Sequence, residues 1–196
     1  RRHNVPYVLF NRYINKDEDS YVVANDILAA RLGTEYLLRK YNGERMIFVA
    51  PDLRISTASD RLIGFKEALA SKGIPFEEQC CFHGVVDYDD GYAVLDRITE
   101  RFPNDNLFIL CYSDYIALGV MKRLSERQPL MEHSVSIMGI DGVEMFSTFL
   151  CSIHLPKYSL GLRSTEMLIN RIRYNSEDRR IVMSENIEVQ GLSSNR

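Results

Sequence analysis

Short apolar runs alternate with longer amphipathic stretches along almost the whole chain, a rhythm that restricts it to strand–helix units wound around a parallel sheet. The apolar runs at 5–10, 21–23, 46–50, 107–111, 135–139, 151–154 and 187–190 predict strands. The stretches at 26–41, 59–72, 89–101, 114–126 and 158–174 predict helices. Asn25, Asp87 and Ser113 stand where a side-chain oxygen can cap a helix start. Gly43 and Gly73 stand where a chain leaving a helix needs positive φ. Leu62, Phe65 and Leu69, and then Tyr92, Leu95, Ile98 and Phe102, recur at helical spacing and predict core-facing stripes. At 196 residues, 45% hydrophobic and 26% charged, the chain can bury one large core or divide into two lobes.

Composition removes several classes of function. A net charge of −3 argues against a surface that grips phosphates, which requires clustered Lys and Arg. The basic groups Arg171-Ile172-Arg173 and Arg179-Arg180 read as a solvated helix end and the loop after it. No run approaches the roughly 20 apolar residues that span a bilayer, and the opening Arg1-Arg2-His3-Asn4-Val5-Pro6 has no apolar signal core, so no membrane partner is expected. Cys80, Cys81, Cys111 and Cys151 lack the spacing of a metal knuckle or redox motif, which predicts a reducing cytoplasm, with Cys111 and Cys151 as packing residues and the Cys80-Cys81 pair left open. The polar loop at 15–20 is the one segment expected to be mobile.

No catalytic constellation emerges. His3, His83, His133 and His154 are scattered, and neither a glycine-rich phosphate loop nor a nucleophile elbow is present, so neither turnover, metal nor cofactor is expected. In a parallel sheet ligands bind at the carboxyl ends of strands, which directs attention to polar residues just beyond the apolar runs. These are Asn11 and Arg12, Thr57 to Arg61, Ser113 and Asp114, and Asp141. Such residue types suit a hydroxyl-rich or heteroaromatic ligand, because a buried ligand group left without a partner costs about 1–3 kcal/mol. Each also has a plainer structural reading: Asn25 and Ser113 as caps, Asp141 in a turn with Gly142, Arg61 paired with Asp60 or a neighbouring loop.

Four segments in this order resemble the LacI/GalR family of bacterial regulators, the last third being similar to its purine repressor branch. They are Val5-Pro6-Tyr7-Val8-Leu9-Phe10-Asn11-Arg12, Arg61-Leu62-Ile63-Gly64-Phe65, Ser134-Val135-Ser136-Ile137-Met138-Gly139-Ile140-Asp141 and Ser152-Ile153-His154-Leu155-Pro156-Lys157-Tyr158-Ser159-Leu160-Gly161. Between them, Asp114-Tyr115-Ile116-Ala117-Leu118-Gly119 is similar to the family's Asp-x-x-Ala-x-Gly segment.

The resemblance implies an α/β fold of two Rossmann-like lobes, of the type I periplasmic-binding-protein kind, with the amino-terminal lobe incomplete. It places the crossovers near Gly43, at 154–156 and at 175–180, so that 1–44 plus 156–176 form what remains of the amino-terminal lobe and 45–155 plus 177–196 the carboxy-terminal lobe. It implies that Arg61 and Asp114 contact a small-molecule effector, that Thr57 matches a polar contact of the purine branch, and that Asn11 and Arg12 serve the ligand or the switch between lobes. Ile55 and Val86 stand where the purine branch has an arginine and a stacking phenylalanine. Val86 can still cover a ligand face and Asp87 or Tyr88 can hydrogen-bond it, which leaves sugar, nucleoside and purine open.

The implied protein is a homodimeric repressor that reaches operator DNA through a helix-turn-helix headpiece outside this chain. The alternatives are a periplasmic-type solute-binding protein for a sugar and, last, an enzyme on a doubly wound sheet. Alanine at Arg61 or Asp114 is expected to abolish the effector response while sparing the fold, and Gly139→Val to harm folding.

Overall fold

The computed structural model describes residues 5–127, 133–174, 176 and 178–191. Nine strands and five helices appear among them in an alternating order. The strands are β1 (Leu9–Phe10), β2 (Tyr21–Ala24), β3 (Arg45–Val49), β4 (Cys81–Phe82), β5 (Leu107–Cys111), β6 (Val135–Asp141), β7 (Cys151–His154), β8 (Arg180–Met183) and β9 (Glu188–Gln190). The helices are α1 (Asp26–Leu38), α2 (Ser56–Ser71), α3 (Tyr88–Arg101), α4 (Asp114–Arg127) and α5 (Lys157–Tyr174). No helix among the described residues is long and apolar enough to cross a membrane.

Two sheets form. The larger has the order β4-β3-β5-β6-β7-β9, parallel throughout except for β9, which runs antiparallel to β7. The smaller is the parallel set β1-β2-β8, with α5 packed on β1 and β2.

Period-two alternation explains why the larger sheet is apolar on both faces. Met46 and Phe48 of β3 and Phe108 and Leu110 of β5 join a core with Phe65, Ala29, Ala30 and Leu37 from α1 and α2. Their neighbours Ile47, Val49, Ile109 and Cys111 join a second core with Val94, Leu95 and Ile98 of α3 and Ile116, Ala117 and Val120 of α4. The first core runs on through Ala24 and Leu155 into Val22, Leu160 and Met167 of the smaller unit.

The expected helix signals are in place. Asn25 accepts from the Leu28 amide at 3.0 Å, Asp87 from Asp90 at 3.0 Å and Ser113 from Ile116 at 3.3 Å. Gly43 and Gly73 take φ of 97° and 68°. Of the predicted core stripes, Leu62 and Tyr92 are half-buried; Leu62 packs against the core, whereas the Tyr92 hydroxyl donates to Glu126 of α4 at 2.5 Å.

Two of the crossings between sheets, the first and the last, lie elsewhere than expected. The chain leaves the smaller sheet at Asn25, returns between β7 and α5, and leaves it again between β8 and β9. Residues 26–38 therefore belong by contact to the larger unit, because α1 packs along α2 and against β5, β6, β7 and β9. Residues 180–183 belong to the smaller one, because β8 pairs with β2. Asn175, within the expected third crossing, lies outside the described residues, as do Arg1 to Asn4.

The 15–20 loop is not loose. Asp19, 5% exposed, accepts from the Ile14 and Asn15 amides at 2.9 and 2.6 Å and from the Tyr7 hydroxyl at 3.2 Å. Of the basic residues expected to be solvated, Arg173, Arg179 and Arg180 are exposed, and two of the four close the same loop: Arg171 donates to Ser20 Oγ and Arg180 to the Asp17 carbonyl.

Candidate functional site

The carboxyl ends of β5, β6 and β7 meet the first turns of α1, α2 and α4, and a connected polar cluster fills the junction. Arg61, on the second turn of α2, is 1% exposed. Its Nε donates to Asp26 Oδ1 at 2.6 Å, its Nη1 to the Tyr112 carbonyl, and its guanidinium lies 4.4 Å from the centre of the Tyr112 ring. Its Nη2 stands 3.8 Å from Asp141 Oδ1, too far for a hydrogen bond. Thr57, one turn earlier on α2, shares a hydrogen bond with the Tyr112 hydroxyl at 2.7 Å. Arg61 thus pairs with Asp26 from another helix and not with its neighbour Asp60, as consecutive helical residues do not face each other.

Asp114, wholly buried at the start of α4, is held from both sides. Oδ1 accepts from Ser152 Oγ at 2.5 Å and Oδ2 from the Val143 amide at 2.7 Å. Gly139 makes the room: a Cβ there would lie 2.2 Å from Asp114 Oδ1, which gives the expected damage from Gly139→Val its physical cause.

Asp141 ends β6 with φ of 146°, a conformation L residues rarely adopt, and Gly142 follows at 64°. A Cβ on Gly142 would meet His154 Cα at 2.6 Å. Lys157, opening α5, donates to the Asp141 and Gly142 carbonyls at 2.8 and 3.0 Å and so anchors this turn.

Burial governs the charges. It raises the carboxyl pKa of Asp26 against the opposing pull of Arg61, and raises that of Asp114 against the hydrogen bonds from Ser152 and Val143. Asp141 is pushed up to about 6, by burial first, with Arg61 opposing and Asp114 adding repulsion. The four cysteines are free, and burial pushes the Cys81 thiol up to about 11 and raises Cys80 and Cys111. Among the described residues no group of three or more His, Cys, Asp or Glu side chains could hold a metal ion.

The structure thus brings Thr57, Arg61, Asp114 and Asp141 into one cluster. Asn11, with φ of 63°, and exposed Arg12 follow β1 and so lie on the other sheet. Val86, 67% exposed, and Asp87 follow β4 at the far edge of the larger sheet, where Asp87 caps α3. Sequence reasoning missed Asp26, Tyr112, Ser152 and Lys157, whose parts depend on contacts across the fold.

Comparison with known proteins gives a consistent result. Residues 1–190 match the family described as periplasmic binding proteins and sugar binding domain of LacI family. The repressor PurR of Vibrio parahaemolyticus is 28% identical over 187 residues, covering 92% of this chain and 54% of the relative. PurR of Pasteurella multocida is 29% identical over 157 residues, 77% of this chain and 46% of the relative. The chain therefore spans about half the length of the curated relatives it matches. The structure of the regulator CelR in complex with cellobiose superimposes with a TM-score of 0.84 at 23% identity, over 95% of this chain and 58% of that one. A LacI-family regulator of Enterococcus faecium with bound ribose gives 0.78 at 20% identity, over 95% and 69%.

Two outcomes test the cluster without any ligand. Arg61→Ala, expected from sequence to spare the fold, strands a buried carboxylate and should cost about 3–5 kcal/mol in urea unfolding. Asp141 binds its proton more tightly folded than unfolded, so its contribution to stability is full below about pH 4 and declines as pH rises through about 6. Asp141→Asn should remove that decline, its stability relative to wild type increasing from pH 4 to 7 in matched denaturant melts.

Proposed function

The chain belongs to the family of periplasmic binding proteins and LacI-type sugar-binding domains, and from that premise we propose that it is the effector-binding and dimerisation part of a bacterial transcription repressor. The observation that carries this reading is the polar cluster around Arg61 at the carboxyl ends of β5 and β6, faced by the smaller sheet. The effector is a small hydroxyl-bearing or heteroaromatic metabolite, a sugar, nucleoside or purine. It enters between the sheets and takes its polar contacts from Asp141 and Tyr112 on one side and from Asn11 and Arg12 on the other, while Val86 and Asp87 border the β4 side.

Arg61, Thr57 and Asp114 are already satisfied by protein partners, which gives them a distinct part. Arg61 Nη2 is the loosest of the Arg61 contacts, 3.8 Å from Asp141, and an effector hydroxyl that inserts there gains a charged donor without breaking the Asp26 pair. Asp114 fixes the Val143 turn and β7 behind Asp141. DNA is reached through a helix-turn-helix headpiece outside this chain, and effector binding acts on it by favouring one arrangement of the two lobes. The relatives named above are repressors, which favours this reading over a solute carrier, and a cytoplasmic location goes with it.

Dimerisation uses an apolar patch on the α3–α4 side of the larger sheet. Tyr115, Met145 and Phe149 are 57%, 80% and 46% exposed. Tyr115 and Phe149 join through Phe146, whose ring centre lies 5.5 Å from the first and 6.0 Å from the second, and Met145 is its neighbour in the chain. Exposed apolar groups in contact with one another mark an association surface.

The test of the effector is thermal stabilisation by cellobiose, glucose, ribose, adenosine, guanine and hypoxanthine. The true effector at one hundred times its dissociation constant should add about 2.7 kcal/mol, and the gain should vanish in Asp141→Ala. Stabilisation by none of these compounds would count against a sugar or purine sensor. For the patch, Phe149→Asp should convert dimer to monomer in sedimentation velocity with the melting temperature of the fold retained; an unchanged sedimentation coefficient would place the interface elsewhere.

A further inference from the structure

We propose that Tyr13 is the positioning residue that sets how far the two lobes open, acting as a latch from the smaller sheet to helix α2. The 11–20 loop leaves β1 on the smaller sheet, and at Tyr13 it reaches across to the larger unit by two bonds. The Tyr13 amide donates to Ser56 Oγ at 3.2 Å, and its hydroxyl donates to Asp60 Oδ2 at 2.9 Å. Ser56 and Asp60 lie one turn apart on α2, and Thr57 and Arg61 of the candidate site follow each of them directly. The latch and the site are thus carried by the same two turns of one helix.

The loop has the rigidity a latch requires. Asp19 holds the Ile14 and Asn15 amides inside the loop, Arg180 fixes it to β8 and Arg171 to α5, and the Tyr13 ring packs on Tyr21 of β2 with centres 4.9 Å apart. Tyr13 is consequently fixed to its own lobe by the loop and the ring, and to the other lobe by its amide and hydroxyl. Burial and the Asp60 carboxylate both raise its phenol pKa, so it remains a donor across the physiological range. A donor to a charged acceptor at this distance shifts the closed-to-open ratio by about ten-fold.

The consequence for effector binding rests on the sensor reading above: a lobe pair held closed binds ligand with an affinity scaled by the closed fraction. The test does not rest on it, because it uses no effector. Residue-resolved amide exchange by NMR on the ligand-free protein compares wild type, Tyr13→Phe and Asp60→Asn. Tyr13→Phe keeps the ring on Tyr21 and removes only the hydroxyl, while Asp60→Asn removes the acceptor charge and leaves Tyr13 intact.

In both variants the amide of residue 13, which bonds across the lobes, should exchange about ten-fold faster. The amides of Ile14 and Asn15, which bond within the loop, should exchange as in wild type, and the double variant should match the singles. Unchanged exchange at residue 13 would show that the bond to Asp60 does not hold the lobes. Acceleration at 13, 14 and 15 together would show that Tyr13 only helps the loop to fold. Either result overturns the latch while leaving the effector screen to be judged separately.

Discussion

The buried ion pair between Arg61 and Asp26 is the contact around which the larger unit is organised. It joins α2 to the first turn of α1, immediately after the chain has crossed from the smaller sheet, and through Tyr112 it reaches the end of β5. Removing both charges from water is unfavourable, and the pair is tolerated because its geometry is saturated: a short bond to Asp26, a carbonyl acceptor and an aromatic face leave the guanidinium few unmet demands. A pair of this kind contributes less to net stability than to specifying one arrangement. Here the arrangement it specifies is the register of α1 on α2 and, with it, the position of the first crossing.

Around that pair, three carboxylates, those of Asp26 and Asp114 buried and that of Asp141 half-buried, are held by different means, and the means determine what each can do. Asp26 has its charge compensated by Arg61, and Asp114 by hydrogen bonds from Ser152 and the Val143 amide. Asp141 has only a loose ion pair with Arg61 and no hydrogen bond to it. Its carboxylate is separated from Arg61 by 3.8 Å, its backbone sits at positive φ, and its pKa has risen to about 6. Strain together with an unmet electrostatic demand in one residue at a strand end is the condition under which a ligand group gains most by binding. In the sensor proposed above, the well-satisfied acids are framework and the poorly satisfied one is the recognition element, a division that the shared chemistry of the three aspartates conceals.

The fold was legible wherever a local rule decides the outcome. Alternation in β3 and β5, the caps at Asn25, Asp87 and Ser113, and the positive φ at Gly43 and Gly73 all follow from neighbours within one turn or one strand. What was not legible depends on distant partners. β4 has only two residues, and β8, with Arg180 leading it, becomes a strand because β2, far away in sequence, offers it an edge. The same holds for the candidate site: Arg61 stands out in the sequence as a candidate site residue, but its burial does not, since Asp26 lies 35 residues away and looks like an ordinary first-turn acid.

The 15–20 loop carries the same lesson in the opposite direction. Its polar composition reads as mobile, yet Asp19 turns inward and satisfies the amides that would otherwise need water. A loop wired in this way transmits displacement instead of absorbing it. With Tyr13 on one side of it and the Arg171 and Arg180 contacts on the other, the movement of α2 in the proposed sensor is conveyed to β8 and α5 without a hinge in the loop itself. Coupling of this kind needs only that the lobes have two discrete packings, and under the proposed latch the hydrogen bonds at Ser56 and Asp60 are the contacts that distinguish them.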